Sequence, residues 1–235
     1  LMAQAKVLST KYDVMITNPP YIGISTMEAP VKDYASKNYP NSKADMFAMF
    51  METSFTKQHG FLAMINMNAW MFLSTYEKLR ISLLTAKSIV SMVHLGPRAF
   101  ETIGGEVVQT TTFVLRNTVP FRLIAPYYRL IEYNSQAEKE KEFLANHNIY
   151  QAIQDNFAKI SGCPYAYWAT QKVYASFEGE SLGDVALLCQ GLTTTDNEKY
   201  VRFWTEVVYE KIGYGKRSTE EASESGKKWF PFNKG

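Results

Sequence analysis

The sequence predicts a doubly wound α/β domain with a parallel sheet, and three observations predict it. Apolar, β-rich runs recur at residues 12–17, 61–66 and 88–94. Segments of helical periodicity, at residues 45–58 and 74–85, separate them. The first run enters a Pro19-Pro20 corner that ends a strand rather than continuing one. Strand, helix, strand, helix, strand is the rhythm that lays parallel strands side by side with crossover helices between them.

Taken in order, the chain opens within a helical stretch, with Leu1, Ala5 and Leu8 roughly on one face. Residues 12–17, carrying Val14, Met15 and Ile16, read as a buried strand. A polar loop is expected over residues 23–43, rich in Ser, Asn, Lys and Pro. Asp45 opens the first long helix at the positive end of its dipole, and Gly60 stops it. Residues 61–66 form a second buried strand, 74–85 a short amphipathic helix, and 88–94 a third strand. A loop over 96–105, with Gly104-Gly105 at its tip, leads to a long β-branched strand at 107–116. That strand follows its neighbour with only a loop between, so it should run antiparallel to it.

After Pro120 one more strand is expected within 121–132. The run Glu138-Lys139-Glu140-Lys141-Glu142 reads as the solvated face of a helix continuing to about residue 160. Gly162-Cys163-Pro164 breaks it, and aromatic residues crowd the rest, among them Tyr165, Tyr167, Trp168, Phe203, Trp204 and Trp229. Residues 218–226 are small and charged and read as a loose surface loop. The expected organisation is a catalytic region at 1–135, a helical linker at 136–162 and a further region from 163 to 235.

With 46% hydrophobic and 20% charged residues the chain is a folded one. A net charge of +2 excludes a bulk electrostatic binder of nucleic acid but not an enzyme with a local basic cleft. Cys163 and Cys189 have no metal-type spacing and read as reduced thiols in a cytoplasmic protein. No metal site is expected. The most apolar run, residues 61–73, is interrupted by Asn66 and Asn68, so no membrane span is expected. No signal peptide is expected, the first residue is not Met, and the chain reads as an internal fragment of something longer.

The chemistry concentrates in Asn18-Pro19-Pro20-Tyr21. The exocyclic amine of a purine is a poor nucleophile because its lone pair is delocalised into the ring. Two acceptors placed on its two N–H bonds bind more tightly as the nitrogen becomes tetrahedral, which is stabilisation confined to the transition state. Asn18 supplies a carboxamide oxygen, and the Pro19 carbonyl supplies the second acceptor. The prolines fix the backbone torsions and bring no competing N–H. Tyr21 supplies a flat face for a flipped base. In open α/β sheets ligands bind beyond the carboxyl ends of strands, which is where this tetrapeptide falls.

Residues 12–23 resemble the catalytic motif of the γ-type N6-adenine DNA methyltransferases, a family that uses S-adenosylmethionine. Asp45-Met46-Phe47 resembles the family's next motif, on a helix lining the cofactor pocket, which makes Asp45 and Phe47 candidate cofactor-binding residues. Residues 60–65, ending in Asn68, resemble the strand that follows. Residues 100–116 resemble a later motif whose aromatic stacks on the other face of the flipped adenine, which makes Phe100 the partner of Tyr21. Further on, Gly162-Cys163-Pro164, Gly191-Leu192-Thr193-Thr194-Thr195-Asp196-Asn197 and Lys228-Trp229-Phe230-Pro231-Phe232 are similar to the large methyltransferases of BREX phage-defence systems. Related segments open the target-recognition region of fused restriction–modification enzymes.

The resemblance implies the C-terminal half of a Rossmann-like class I methyltransferase sheet, followed by the start of a mixed α/β target-recognition region. It implies double-stranded DNA as partner, other defence-system proteins as possible partners, and no membrane. Gly191, Thr194 and Asn197 belong to a small-residue loop whose hydroxyls, amide and backbone N–H groups suit phosphates or bases; an ordinary turn suits them equally. Gly213, Gly215, Lys216 and Arg217 read as a solvated segment.

The glycine-rich loop and the acidic residue that hold the cofactor in this family precede the catalytic strand, so they are expected outside this chain. Gly104-Gly105 is no substitute, since a strand follows it and not a helix. The 235 residues alone are therefore expected to bind S-adenosylmethionine poorly and to methylate nothing, and the strand ending at Thr17 to have one unpaired side. The alternatives are methylation of another amine or amide, in RNA adenine or protein glutamine, and a non-catalytic DNA-binding module. The aromatic region after residue 160 argues against the first, and an intact Asn18 and Tyr21 against the second.

Overall fold

The structure is a computed structural model and describes residues 2–53, 55–100, 108–119, 123–188, 194 and 196–232. The chain divides into two compact units, Leu1–Gly179 and Glu180–Gly235.

Helix α1 (Met2–Ser9) leads into β1 (Tyr12–Thr17), followed by α2 (Ala29–Asn38), α3 (Met46–Glu52) and β2 (Thr56–Met67). Then come α4 (Glu77–Ala86), β3 (Ser88–Gly96), β4 (Thr110–Arg116), β5 (Ile124–Arg129), α5 (Gln136–Leu144), β6 (Ile149–Ile153) and α6 (Gln171–Ser176). The six strands form one sheet in the order β1-β2-β4-β3-β5-β6.

The sheet is mixed, with β4 antiparallel to the strand it follows, as the sequence reading expects. β1–β2 and β3–β5 are parallel, whereas β4 lies between β2 and β3 and runs antiparallel to both. Among the described residues no crossover helix lies between β3 and β4, and the chain returns alongside the strand it has just left. β6 adds a second antiparallel edge on β5.

One sheet face is sealed. From Gly60 onward β2 buries every second residue, with Leu62, Met64 and Asn66 inward. Met92, Phe113, Leu115 and Tyr127 from the neighbouring strands join them, covered by Phe47 and Met51 of α3 and Leu79 and Leu83 of α4. Trp70, Phe157, Tyr165 and Tyr167 close the rest of that core. A smaller cluster of Met27, Ala35 and Met49 fixes α2 against α3.

β1 is an edge strand, not a buried one. Among the described residues it pairs only with β2, and Val14 and Ile16 are 52% and 78% exposed. Its apolar sequence reads as core, but its place at the edge leaves it in solvent. An exposed apolar edge is a template for pairing. The chain by itself is expected to self-associate with rising concentration, and Ile16→Lys to suppress this. Sedimentation velocity showing a monomer at every concentration would contradict it.

Several boundaries also differ from the sequence reading. The polar loop expected at 23–43 contains α2, started by Pro30 in its first turn. The helix expected to reach residue 58 ends at Glu52, and β2 begins before Gly60. Gly60 does not stop a helix. A Cβ there would lie 2.8 Å from the Asp13 carbonyl oxygen, so glycine permits the close approach of β1 and β2.

The helix expected to run to residue 160 ends at Leu144, where Asn146 and Asn148 adopt positive φ (55° and 54°), a conformation Asn tolerates. β6 follows, so residues 136–162 join the sheet and pack within the first unit rather than forming a helical linker. Nor is the charged run wholly solvated. Lys139 is 3% exposed, its Nζ donating to the carbonyls of Leu95 and Leu130 at 2.7 Å each, and burial lowers its pKa.

The second unit is built of short helices, α7 (Leu182–Val185), α8 (Asn197–Tyr200) and α9 (Thr219–Glu224). α9 replaces the expected loose loop, because the Ser218 hydroxyl caps it by accepting from the Glu221 N–H at 3.2 Å. Ile212 bridges Trp229, and the cationic ends of Arg202 and Lys228 lie 6.0 and 5.3 Å from the Trp229 ring.

Candidate active site

β1 stops at Thr17, and Asn18, Pro19, Pro20 and Tyr21 follow it in irregular conformation at the strand's carboxyl end. Asn18 and Pro20 are exposed, Pro19 is buried and Tyr21 is half-buried. Among the described residues the Asn18 carboxamide has no protein partner. The corner is tied down just beyond Tyr21. The Met46 N–H donates to the Ile22 carbonyl (3.0 Å), the Ile24 N–H to the Ala44 carbonyl (2.9 Å), and Gly23 bridges Asp45.

Asp45 makes this attachment rigid. Its Oδ1 accepts from the N–H of Phe47 at 3.2 Å, capping α3, and from the N–H of Ile22 at 3.1 Å. One carboxylate thus fixes both the start of a helix and the exit of the tetrapeptide. Burial raises its pKa, opposed by the N–H groups of Phe47, Ile22 and Met46. Burial, and secondarily the Asp45 charge, raises the pKa of the Tyr21 hydroxyl and pushes that of Tyr76 up to about 12, so both phenols are neutral at pH 7.

Tyr21 meets Phe47 edge to face, with ring centroids 6.0 Å apart at 82°, and its hydroxyl lies 3.5 Å from the Ile65 carbonyl. Phe47 is 0% exposed and packs on Tyr76 at 5.7 Å. It backs Tyr21 from within the core. The fold therefore brings together Asn18, Pro19, Pro20, Tyr21, Asp45 and Phe47.

Phe100 stands apart from that group. It is half-buried at a bend after β3, and among the described residues it makes no ring contact with Tyr21. Gly191 lies outside the described residues. In the second unit the Thr194 hydroxyl bonds the Asn197 Oδ1, and Asp196 caps α8 by accepting from the Lys199 N–H at 3.0 Å. No group of three His, Cys, Asp or Glu suited to a metal occurs among the described residues, and Cys163 is a free thiol whose pKa burial raises.

Two polar assemblies escaped the sequence reading. Arg80, 1% exposed, donates to the carbonyls of Gly162 (2.8 and 2.7 Å), Trp70 (2.9 Å) and Leu73 (2.6 Å). His94, 5% exposed, has Nε2 2.8 Å from Asn68 Nδ2 and Nδ1 3.1 Å from the Tyr167 hydroxyl. An amide nitrogen can only donate, so Nε2 accepts and the proton sits on Nδ1. Nothing in a sequence marks a buried arginine or histidine, because each residue type is exposed more often than not.

Burial, then the charges of Arg129 and Lys139, lower the His94 pKa from 6.5 to about 4. The unfolded chain therefore binds a proton that the folded one refuses. The stability contributed by neutral His94 is complete above pH 6.5 and is lost as pH falls from there through about 4, up to roughly 3 kcal/mol. His94→Gln is expected to flatten urea-measured stability over that window. An unchanged slope would contradict the assignment.

Residues 3–100 match the family model described as Eco57I restriction-modification methylase. The chain is 42% identical over 245 aligned positions to adenine-specific methyltransferase PglX of Lacticaseibacillus casei (strain Zhang), covering 100% of this chain and 20% of that protein. It is 40% identical to adenine-specific methyltransferase BrxX of Escherichia coli O9:H4 (strain HS), covering 99% of this chain and 19% of that protein. The chain thus spans about a fifth of the length of the curated relatives it matches. A solved chain from a type I restriction–modification system superposes with a TM-score of 0.50 at 16% identity, covering 70% of this chain and 38% of that one, a likeness of fold alone. From end to end, this chain is similar to one stretch of the adenine-specific methyltransferases PglX and BrxX, and its fold is mixed α/β with a six-stranded mixed sheet.

Proposed function

We propose that the whole protein to which this chain corresponds methylates the N6 amine of a flipped adenine in double-stranded DNA, serving phage defence or restriction–modification. The observation that carries this reading is the Asn18-Pro19-Pro20-Tyr21 corner at the carboxyl end of β1, held to α3 by Asp45. Asn18 is exposed with its carboxamide unengaged among the described residues, as an acceptor for an incoming amine must be.

In this reading the Asn18 oxygen and the Pro19 carbonyl accept the two N–H bonds of the amine, and the interaction tightens as the nitrogen pyramidalises. Tyr21 stacks on the base, and Phe47 holds Tyr21 from behind. Phe100 supplies the opposite face after rearrangement of its loop, and Gly191, Thr194 and Asn197 contact DNA from the target-recognition region.

The family implies S-adenosylmethionine, which supplies an electrophilic methyl group when bound. The residues present fit it in part. Asp45 Oδ1 is committed to two backbone N–H groups and the residue is buried, so its second carboxylate oxygen is what it has left for a donor on the cofactor. Phe47 shapes that wall without reaching it. Transfer of labelled methyl from S-adenosylmethionine to duplex DNA by the whole protein tests the proposal; label in RNA or protein but not in DNA would overturn it.

A further inference from the structure

Val93 and Leu95 of β3 and Thr112 of β4 alternate with the inward-facing Met92, His94 and Phe113, so they point to the sheet face opposite α3 and α4. α5 lies on that face, its Phe143 ring 4.7 Å from the ring of Tyr128 on β5. Between α5 and the strands is a cavity of about 400 Å³, within the range of small-ligand sites.

Lys139 of α5 lines this cavity and is 3% exposed. Its Nζ donates to the Leu95 and Leu130 carbonyls, and among the described residues it makes no third hydrogen bond and no ion pair. An ammonium has three hydrogens, so one is left for a further acceptor. Both of its present acceptors are neutral, whereas a buried charge is best held when an opposite charge answers it. Glu138 favours the charged form, but less than burial opposes it. Thr112 adds a second donor, since its hydroxyl makes no hydrogen bond among the described residues and the residue lines the same cavity.

The rest of the lining sets the body of the ligand. Val93, Leu95, Leu130 and Phe143 give it apolar walls. Glu140, exposed at the edge of the cavity, repels a ligand with a second negative charge. One negative charge on an apolar body matches this lining, and a phosphate does not.

We propose that this cavity binds a small monocarboxylate carrying an apolar chain, with Lys139 Nζ and the Thr112 hydroxyl donating to the carboxylate and the chain lying along Val93, Leu130 and Phe143. The site is on the other side of the sheet from the core that backs Tyr21, and it takes no part in methyl transfer.

The test is NMR titration of the 235-residue chain with octanoate, octanol and inorganic phosphate, following the methyl resonances of Val93 and Leu130 and the ammonium of Lys139. Octanoate is expected to shift all three and to slow exchange of the ammonium hydrogens. Octanol has the chain without the charge and should bind about tenfold or more weakly, the usual cost of losing a charge-assisted hydrogen bond. Phosphate should leave the methyl resonances where they are. Thr112 is half-buried, so Thr112→Val keeps the shape and should fold; it should weaken octanoate roughly threefold to tenfold and leave octanol unchanged. Lys139→Met should erase the difference between octanoate and octanol. That variant also strips two carbonyls of their donor, so Thr112→Val decides the matter where Lys139→Met is too unstable to titrate. Equal affinity for octanoate and octanol, preference for phosphate, or octanoate binding unaltered in Thr112→Val would overturn the proposal.

Discussion

Asn18→Ala in the whole protein is expected to lower the rate of methyl transfer by about 10²–10³-fold, the usual cost of removing one preorganised group that acts on developing charge. Three observations separate this from a folding effect. Asn18 is exposed, no described residue bonds its carboxamide, and the turn it begins is held from the far side by Asp45. The variant should therefore keep its stability within about 0.5 kcal/mol. Affinity for DNA should change little, because the acceptor gains its strength only as the amine pyramidalises. Single-turnover kinetics with a melting curve beside them check all three statements. A variant that turns over normally, or one that loses rate only by losing DNA affinity, would contradict them.

Arg80→Met is expected to destabilise the first unit by about 3 kcal/mol, since the buried carbonyl of Trp70 and the part-buried carbonyls of Gly162 and Leu73 lose their donor. The guanidinium ties α4 and the nearby segment after β2 to the turn at Gly162, which is distant in the chain. Burial lowers its pKa, countered by Cys163, Glu77 and Tyr165, yet arginine remains charged at any ordinary pH. Methionine keeps much of the volume and none of the five donors, so the loss reports the hydrogen bonds rather than a cavity. Urea unfolding of the two proteins measures it. A difference below about 1 kcal/mol would mean that water satisfies those carbonyls once the arginine is gone.

What could be read from the sequence was what period and punctuation encode. β1, α4 and β3 fall where their apolar runs place them, and the Pro19-Pro20 corner marks the end of β1. The antiparallel pairing of β4 with β3 falls where the sequence reading puts it. The failures share a cause. α2 buries only Ala35, so it carries too little apolar periodicity to stand out from a polar loop. β6 follows a charged helix closely enough that the two merge into one apparent helix, until Asn146 and Asn148 are seen at positive φ. Val14 and Ile16 look like core because sequence reports what a strand is made of and not how many neighbours it has.

The candidate site was legible to a similar extent. That Asn18 through Tyr21 follow a strand end and that Asp45 starts a helix was anticipated, because a strand end, a proline pair and a helix start are local features. That Asp45 acts by pinning Ile22, and that Phe47 acts from inside the core, depends on which backbone N–H groups meet one oxygen, which is a tertiary fact. The Asn68–His94–Tyr167 chain draws on three separate segments, and no local pattern joins them.

The central claim is that the Asn18 corner serves amine methylation of adenine in DNA. It is tested most directly by digesting DNA that the whole protein has treated with labelled S-adenosylmethionine and identifying the labelled nucleoside by mass spectrometry. N6-methyladenine is the expected labelled product, absent when Asn18 is alanine. Label on a cytosine carbon, or N6-methyladenine formed undiminished by the Asn18→Ala protein, would contradict it.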